Sequence, residues 1–83
     1  MIDPELLQML RCPETRQALH RAEGSLIESL NEQVGGGRLR NRAGLVVTEP
    51  FEDGLIRSDG KYLYPVRQDI PIMLIDEAIP LPV

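Results

Sequence analysis

Residues 54–76 read Gly54-Leu55-Ile56-Arg57-Ser58-Asp59-Gly60-Lys61-Tyr62-Leu63-Tyr64-Pro65-Val66-Arg67-Gln68-Asp69-Ile70-Pro71-Ile72-Met73-Leu74-Ile75-Asp76. The punctuation of this stretch decides the fold. Gly54–Arg57 is a strand. Ser58–Lys61 is a tight turn, because Asp-Gly favours the φ > 0 conformations of hairpin turns. Tyr62–Val66 is the returning strand, Arg67-Gln68-Asp69 turns the chain again, and Ile70–Ile75 is the last strand of a β-meander. The tail, Ile79-Pro80-Leu81-Pro82-Val83, makes neither a helix nor a central strand.

The last strand does not alternate. Ile70, Pro71, Ile72, Met73, Leu74 and Ile75 are all apolar. Pro71 has no amide proton, which places the strand at a sheet edge or at its own start. An apolar edge must be covered to avoid aggregation. Two covers satisfy it: a helix of the chain itself, or a partner that adds a strand or an apolar surface. If a partner supplies the cover, its contacts are Ile70, Pro71, Ile72, Met73 and Leu74, with Tyr64 as an aromatic anchor.

N-terminal to the meander, Asp3 caps and Pro4 opens a helix over residues 4–10. Leu6, Leu7, Met9 and Leu10 lie at helical spacing, and Pro13 stops the run. Gln17–Arg21 reads as a short strand around Leu19. Ser25-Leu26-Ile27-Glu28 has the form of a capping box. Leu26, Ile27, Leu30 and Val34 then give one apolar stripe over residues 26–34, with Gly35 as the residue past the helix end. Gly35-Gly36-Gly37 is a flexible break, and Leu45-Val46-Val47 is a strand within Gly44–Glu49, ended by Pro50. The expected fold is a small α+β domain spanning residues 1–83. A β-hairpin or three-stranded antiparallel sheet carries an N-terminal helix and one inserted helix.

With 42% hydrophobic residues, the 83-residue chain has enough apolar material for one modest core. Phe51, Tyr62 and Tyr64 are its aromatic residues, so aliphatic packing carries the fold. A net charge of −4 argues against wrapping nucleic acid or binding an anionic membrane, and suits a protein partner. The lone Cys12 excludes an internal disulfide and fits a reducing compartment. The acidic N-terminus is unlike a signal peptide, and no apolar run reaches the ~20 residues of a membrane span. The expected location is the cytoplasm. The apolar edge also allows a homodimer.

Two stretches resemble a known family. Leu6-Leu7-Gln8-Met9-Leu10-Arg11-Cys12-Pro13 is similar to the opening helix and knuckle of the small zinc-ribbon-like subunits that activate tRNA and translation-factor methyltransferases. These have compact bacterial YcaR-like relatives. Leu63-Tyr64-Pro65-Val66-Arg67, followed by Ile70-Pro71-Ile72-Met73-Leu74-Ile75-Asp76-Glu77-Ala78, resembles the closing pattern. The match covers residues 5–19 and 54–78, and residues 20–53 form an insertion between the halves. The resemblance implies a zinc-ribbon-like fold and a non-catalytic adaptor that binds and stabilises an S-adenosylmethionine-dependent methyltransferase, lending it the stability of mass action. It also favours a partner as the cover of the apolar edge.

Metal-binding members carry two Cys-x-x-Cys knuckles, which fall here on Cys12, Thr15, Arg57 and Gly60. One ligand of four remains. A structural zinc site needs four, so zinc is not expected, nor any other cofactor. Packing and turn hydrogen bonds must then hold the knuckles. Family members have Asp-Gly before Ile-Pro, where this chain has Gln68-Asp69. Asp tolerates the left-handed conformation, which keeps the turn available.

The remaining candidates have plainer readings. Cys12 reads as a small buried hydrophobe rather than a reactive thiol. Cys12 with His20 as a catalytic or metal pair lacks an orienting group, and His20 reads as a solvated strand residue. Arg38, Arg40 and Arg42 would share a face if extended and could meet RNA phosphate, the alternative function. The more ordinary reading is a solvated charge run in a loop. No Gly-Lys-Ser/Thr follows the triple glycine, so it is not a phosphate-binding loop. Enzymatic activity is not expected.

Overall fold

The computed structural model describes residues 4–81. The Asp3 cap, Pro82 and Val83 lie outside the described residues. The architecture is α+β. In chain order it runs α1 (Pro4–Met9), β1 (Leu19–Arg21), α2 (Gly24–Gly35), β2 (Asp53–Arg57), β3 (Tyr62–Arg67) and β4 (Ile70–Pro71), then a 3₁₀ turn (Ile75–Glu77) and β5 (Ile79–Pro80). The antiparallel sheet has the order β1-β2-β3-β4, and β5 also pairs with β3.

Both faces of β3 are buried, and each has its own core. Leu63 belongs with Ile27, Leu30 and Val34 of α2, together with Leu39, Val47, Phe51 and Ile79. Tyr64 and Val66 point to the other face, with Cys12, Leu19, Leu55 and Ala78, and Leu7, Leu10 and Met73 pack against them. The period-two alternation of strand side chains makes this division. The cross-strand register matches it: Ile56 opposes Leu63, and Leu55 opposes Tyr64. The insertion therefore lays α2 over one face, while α1 and the Cys12 turn cover the other.

The two hairpin turns differ. Arg67 pairs directly with Ile70, and the two linking residues, Gln68 and Asp69, have φ of 52° and 62°. This is the doubly left-handed two-residue turn whose twist matches the strands. The Ser58–Lys61 turn is wider, and only Gly60 is left-handed, at φ 74°. The Gly60 amide donates to the Arg57 carbonyl at 2.8 Å. The Asp59 carboxylate accepts from the Lys61 amide at 3.0 Å.

Four local expectations need correction. Glu23 is the N-cap of α2 and no side chain caps the helix, so Ser25 and Glu28 form no capping box. The helix runs one glycine further, to Gly35, with Gly36 as its C-cap, and Gly37, at φ 68°, is the residue past its end. Gly37 donates to Val34 (3.1 Å) and Arg38 to Gln33 (2.9 Å), the paired bonds of a Schellman motif. Residues 44–49 do not join the sheet. They fold back on Leu39–Asn41 through one bridge, Arg40 to Val46, with Gly44 at φ 83°.

The last of the four is the strand over Ile70–Ile75, which breaks after Pro71. The Ile72 amide still reaches the Pro65 carbonyl at 2.9 Å. The chain then leaves the sheet, makes the 3₁₀ turn and returns at Ile79, opposite Leu63. Tyr64 and Val66 fill the space beneath, and Met73 drops onto them. The tail thus supplies a short edge strand.

Candidate functional site

Cys12 begins a turn in which the Arg16 amide donates to its carbonyl at 2.8 Å, with Arg16 left-handed at φ 62°. Cys12 is 1% exposed. Cys12 Sγ and the Tyr64 hydroxyl share a hydrogen bond of 2.9 Å. Burial opposes ionisation of the thiol. Hydrogen bonds from the Thr15 side chain, the Tyr64 hydroxyl and the Thr15 and Glu14 amides outweigh it, lowering the pKa from 9.0 to about 6. Cys12 is buried as expected, but it is not an inert hydrophobe, because donors converge on its sulfur.

Arg57 faces this sulfur, with Nη1 4.0 Å from Cys12 Sγ. The guanidinium is held on several sides. It forms a two-pronged pair with Asp59 (Nε 2.9 Å, Nη2 2.6 Å) and meets Glu14 at 3.2 Å. It also lies 4.8 Å from the centroid of the Tyr62 ring. Arg42 approaches the same ring at 4.6 Å and binds Glu14 at 2.6 Å. The Asp59 hydrogen bonds raise the pKa of Arg57 further and depress that of Asp59.

Thr15 and Arg57, at two knuckle positions, thus converge on Cys12, and Gly60 closes the turn that carries Arg57. They do not suit a zinc ion, because a fixed guanidinium stands where a second pair of thiolates is required. Among the described residues, no three or more His, Cys, Asp or Glu side chains gather to hold a metal. His20 sits opposite Ile56, on the sheet face away from Cys12, so the two cannot act as a pair.

The apolar run is divided by the break in its strand. Ile70 is 61% exposed and Leu74 60% exposed, whereas Pro71, Ile72 and Met73 are half-buried. Met73, Leu74, Ile75 and Asp76 form a shallow groove with Pro13. Tyr64 is 0% exposed and hydrogen-bonded inside the core. It is therefore a core residue and not an interface anchor. On α1, Leu7 faces the β1 side with Arg11, while Leu6 and Met9 are exposed on the helix's other flank.

The three arginines do not share a face. Arg42 is turned inward onto Glu14 and Tyr62, and Arg40 Nη1 donates to the Gly44 carbonyl at 2.8 Å. Arg38 lies exposed past the end of α2, against Gly36.

The solution NMR structure of XF2673 from Xylella fastidiosa matches this chain with a TM-score of 0.72 and 32% sequence identity, over 95% of this chain and 81% of XF2673. The chain belongs to the XF2673 family. No protein-family model and no curated protein matches it. The XF2673 likeness carries the fold and brings no activity with it.

In this member of the XF2673 family, the sequence does not show the cluster around Cys12, in which Tyr64, Arg57 and Glu14 adjoin the sulfur and Arg42 holds Glu14. One signal was present. The spacing from Tyr64-Pro65 placed Arg57 at a knuckle position, with Asp59 two residues on to hold its guanidinium. Nothing in the sequence marked Glu14 or Arg42, which are brought together only by folding.

Proposed function

We propose that this chain is a non-catalytic adaptor that docks on an S-adenosylmethionine-dependent methyltransferase through Ile70–Leu74. One observation carries the docking reading. The inserted helix α2, the chain's own candidate cover, packs against Leu63 and Ile79 and leaves Ile70 and Leu74 unburied. Ile70 and Leu74 stay exposed, with Leu74 in the wall of the Pro13 groove. The methyltransferase as partner comes from the resemblance of residues 5–19 and 54–78, and the methyl-transfer chemistry belongs to that enzyme. The engagement of Arg42 by Glu14 and the Tyr62 ring weighs against an RNA-binding loop.

The test is recovery of the tagged chain from its native cells, followed by mass spectrometry of stoichiometric companions. The adaptor reading expects a methyltransferase whose stability falls in cells lacking the chain. Recovery without one, under conditions that preserve weak complexes, removes the methyltransferase from the proposal. A salt-dependent complex with tRNA, lost on replacing Arg38, Arg40 and Arg42, would put the RNA reading in its place.

A further inference from the structure

The docking segment has a charge as well as an apolar surface. Residues 68–83 contain Asp69, Asp76 and Glu77 and neither Lys nor Arg. Asp76 is exposed in the wall of the groove that holds Met73 and Leu74. Among the described residues, Asp76 and Glu77 have no ion-pair partner. Arg67, Arg42 and Arg11 are engaged elsewhere. Arg67 donates to the Glu49 carbonyl at 3.0 Å and the Pro50 carbonyl at 3.4 Å. Arg42 is held by Glu14 at 2.6 Å, and Arg11 donates to the carbonyls of Gln8 and Leu10 at 2.7 and 2.8 Å.

We infer that the partner meets this face with an apolar surface bordered by Lys or Arg, its apolar groups on Ile70 and Leu74 and its cations beside Asp76. The inference rests on the docking reading above and deepens it. Charged borders of this kind steer association and select partners more than they add raw affinity. A second copy of this chain is a poorer occupant, because face-to-face packing would bring the acidic borders together. The same charge disfavours nucleic acid and anionic membranes at this face.

The test uses the full-length 15N-labelled chain and three synthetic amphipathic helical peptides. They share one Leu/Met face and differ only in flanking residues, which are Lys, Gln or Glu. The expected result is shifts at Ile70, Met73, Leu74 and Asp76, with the Lys peptide binding about tenfold or more tightly than the Glu peptide at low salt. High salt closes that gap, as does the Asp76→Asn/Glu77→Gln variant. Equal binding of all three peptides at Leu74 overturns the basic border and leaves the docking face standing. No shift at the segment with any peptide overturns both. A dimer in sedimentation, lost in Leu74→Asp, gives the face to a second copy and also overturns the inference.

Discussion

The Tyr64 hydroxyl lies 2.9 Å from Cys12 Sγ, a bond that crosses 52 positions of sequence and joins the knuckle to the central strand. It fills the hydrogen-bonding need of a fully buried tyrosine and supplies a donor to a buried sulfur. Tyr64→Phe keeps the ring and removes the donor. The expected cost is roughly 2 kcal/mol, in the range for hydrogen bonds to charged groups. Thiolate absorbance should titrate near pH 6 in the native chain and at higher pH in the variant. An unmoved midpoint would mean that the phenol does not stabilise the thiolate.

The same pair sets the dependence of stability on pH. Folded Cys12 releases its proton near pH 6, and the unfolded chain does so near the ordinary 9.0. Between these values the unfolded state binds more protons, so stability rises with pH. This contribution is complete above about pH 9 and is lost as pH falls through 6. Tyr64 works the other way. Burial, then the Cys12 bond, raises its pKa above the ordinary 10.0, so stability falls as the unfolded tyrosine ionises. Urea midpoints should rise from pH 6 to 9 and fall above 10. Cys12→Ala should abolish the rise.

Gly54 tests the packing of the sheet. A Cβ there would stand 2.8 Å from Leu63 Cδ2 and 2.9 Å from Cδ1. Leu63 is fully buried and has nowhere to retreat. Gly54→Ala should therefore destabilise the chain by roughly 1–3 kcal/mol, the usual cost of overpacking. Urea denaturation measures it, and a neutral result would show that the β2–β3 pair is looser than the register implies.

The two ends of the insertion separate a sequence signal from a structural one. Ser25 caps nothing, so Ser25→Ala should change stability by no more than about 0.5 kcal/mol. Asn31 receives the Phe51 amide at 3.1 Å and donates to the Phe51 carbonyl at 2.8 Å. Asn31→Ala strands both groups and should cost roughly 1–3 kcal/mol. The reverse ranking in thermal melts would restore the capping box.

The sequence revealed the elements whose signal is local. The stripe Ile27, Leu30 and Val34 fixed α2, and the runs around Asp59-Gly60 and Gln68-Asp69 fixed the meander. It failed where tertiary contacts decide. Leu45–Val47 has the β-propensity of a strand, yet Gly44 and the Asn41 side chain turn it back on Leu39. Ile70–Ile75 reads as one strand, but the bulk of Tyr64 and Val66 and the return of Ile79 to Leu63 divide it. Tyr64 looked like an interface aromatic because its partner, Cys12, is distant in sequence. The exposed pair Ile70 and Leu74 was within reach of the sequence. Its isolation from α2 was not.

The central claim is that Leu74 faces a partner and not the core. The most direct test compares Leu74→Asp with the native chain, recording the melting temperature and the proteins retained from native cells. The account predicts a melting temperature within roughly 4 °C of the native value, together with loss of the stoichiometric partner. A variant that unfolds would place Leu74 in the core. A folded variant that keeps its partner would place the docking surface elsewhere. Either result contradicts the account.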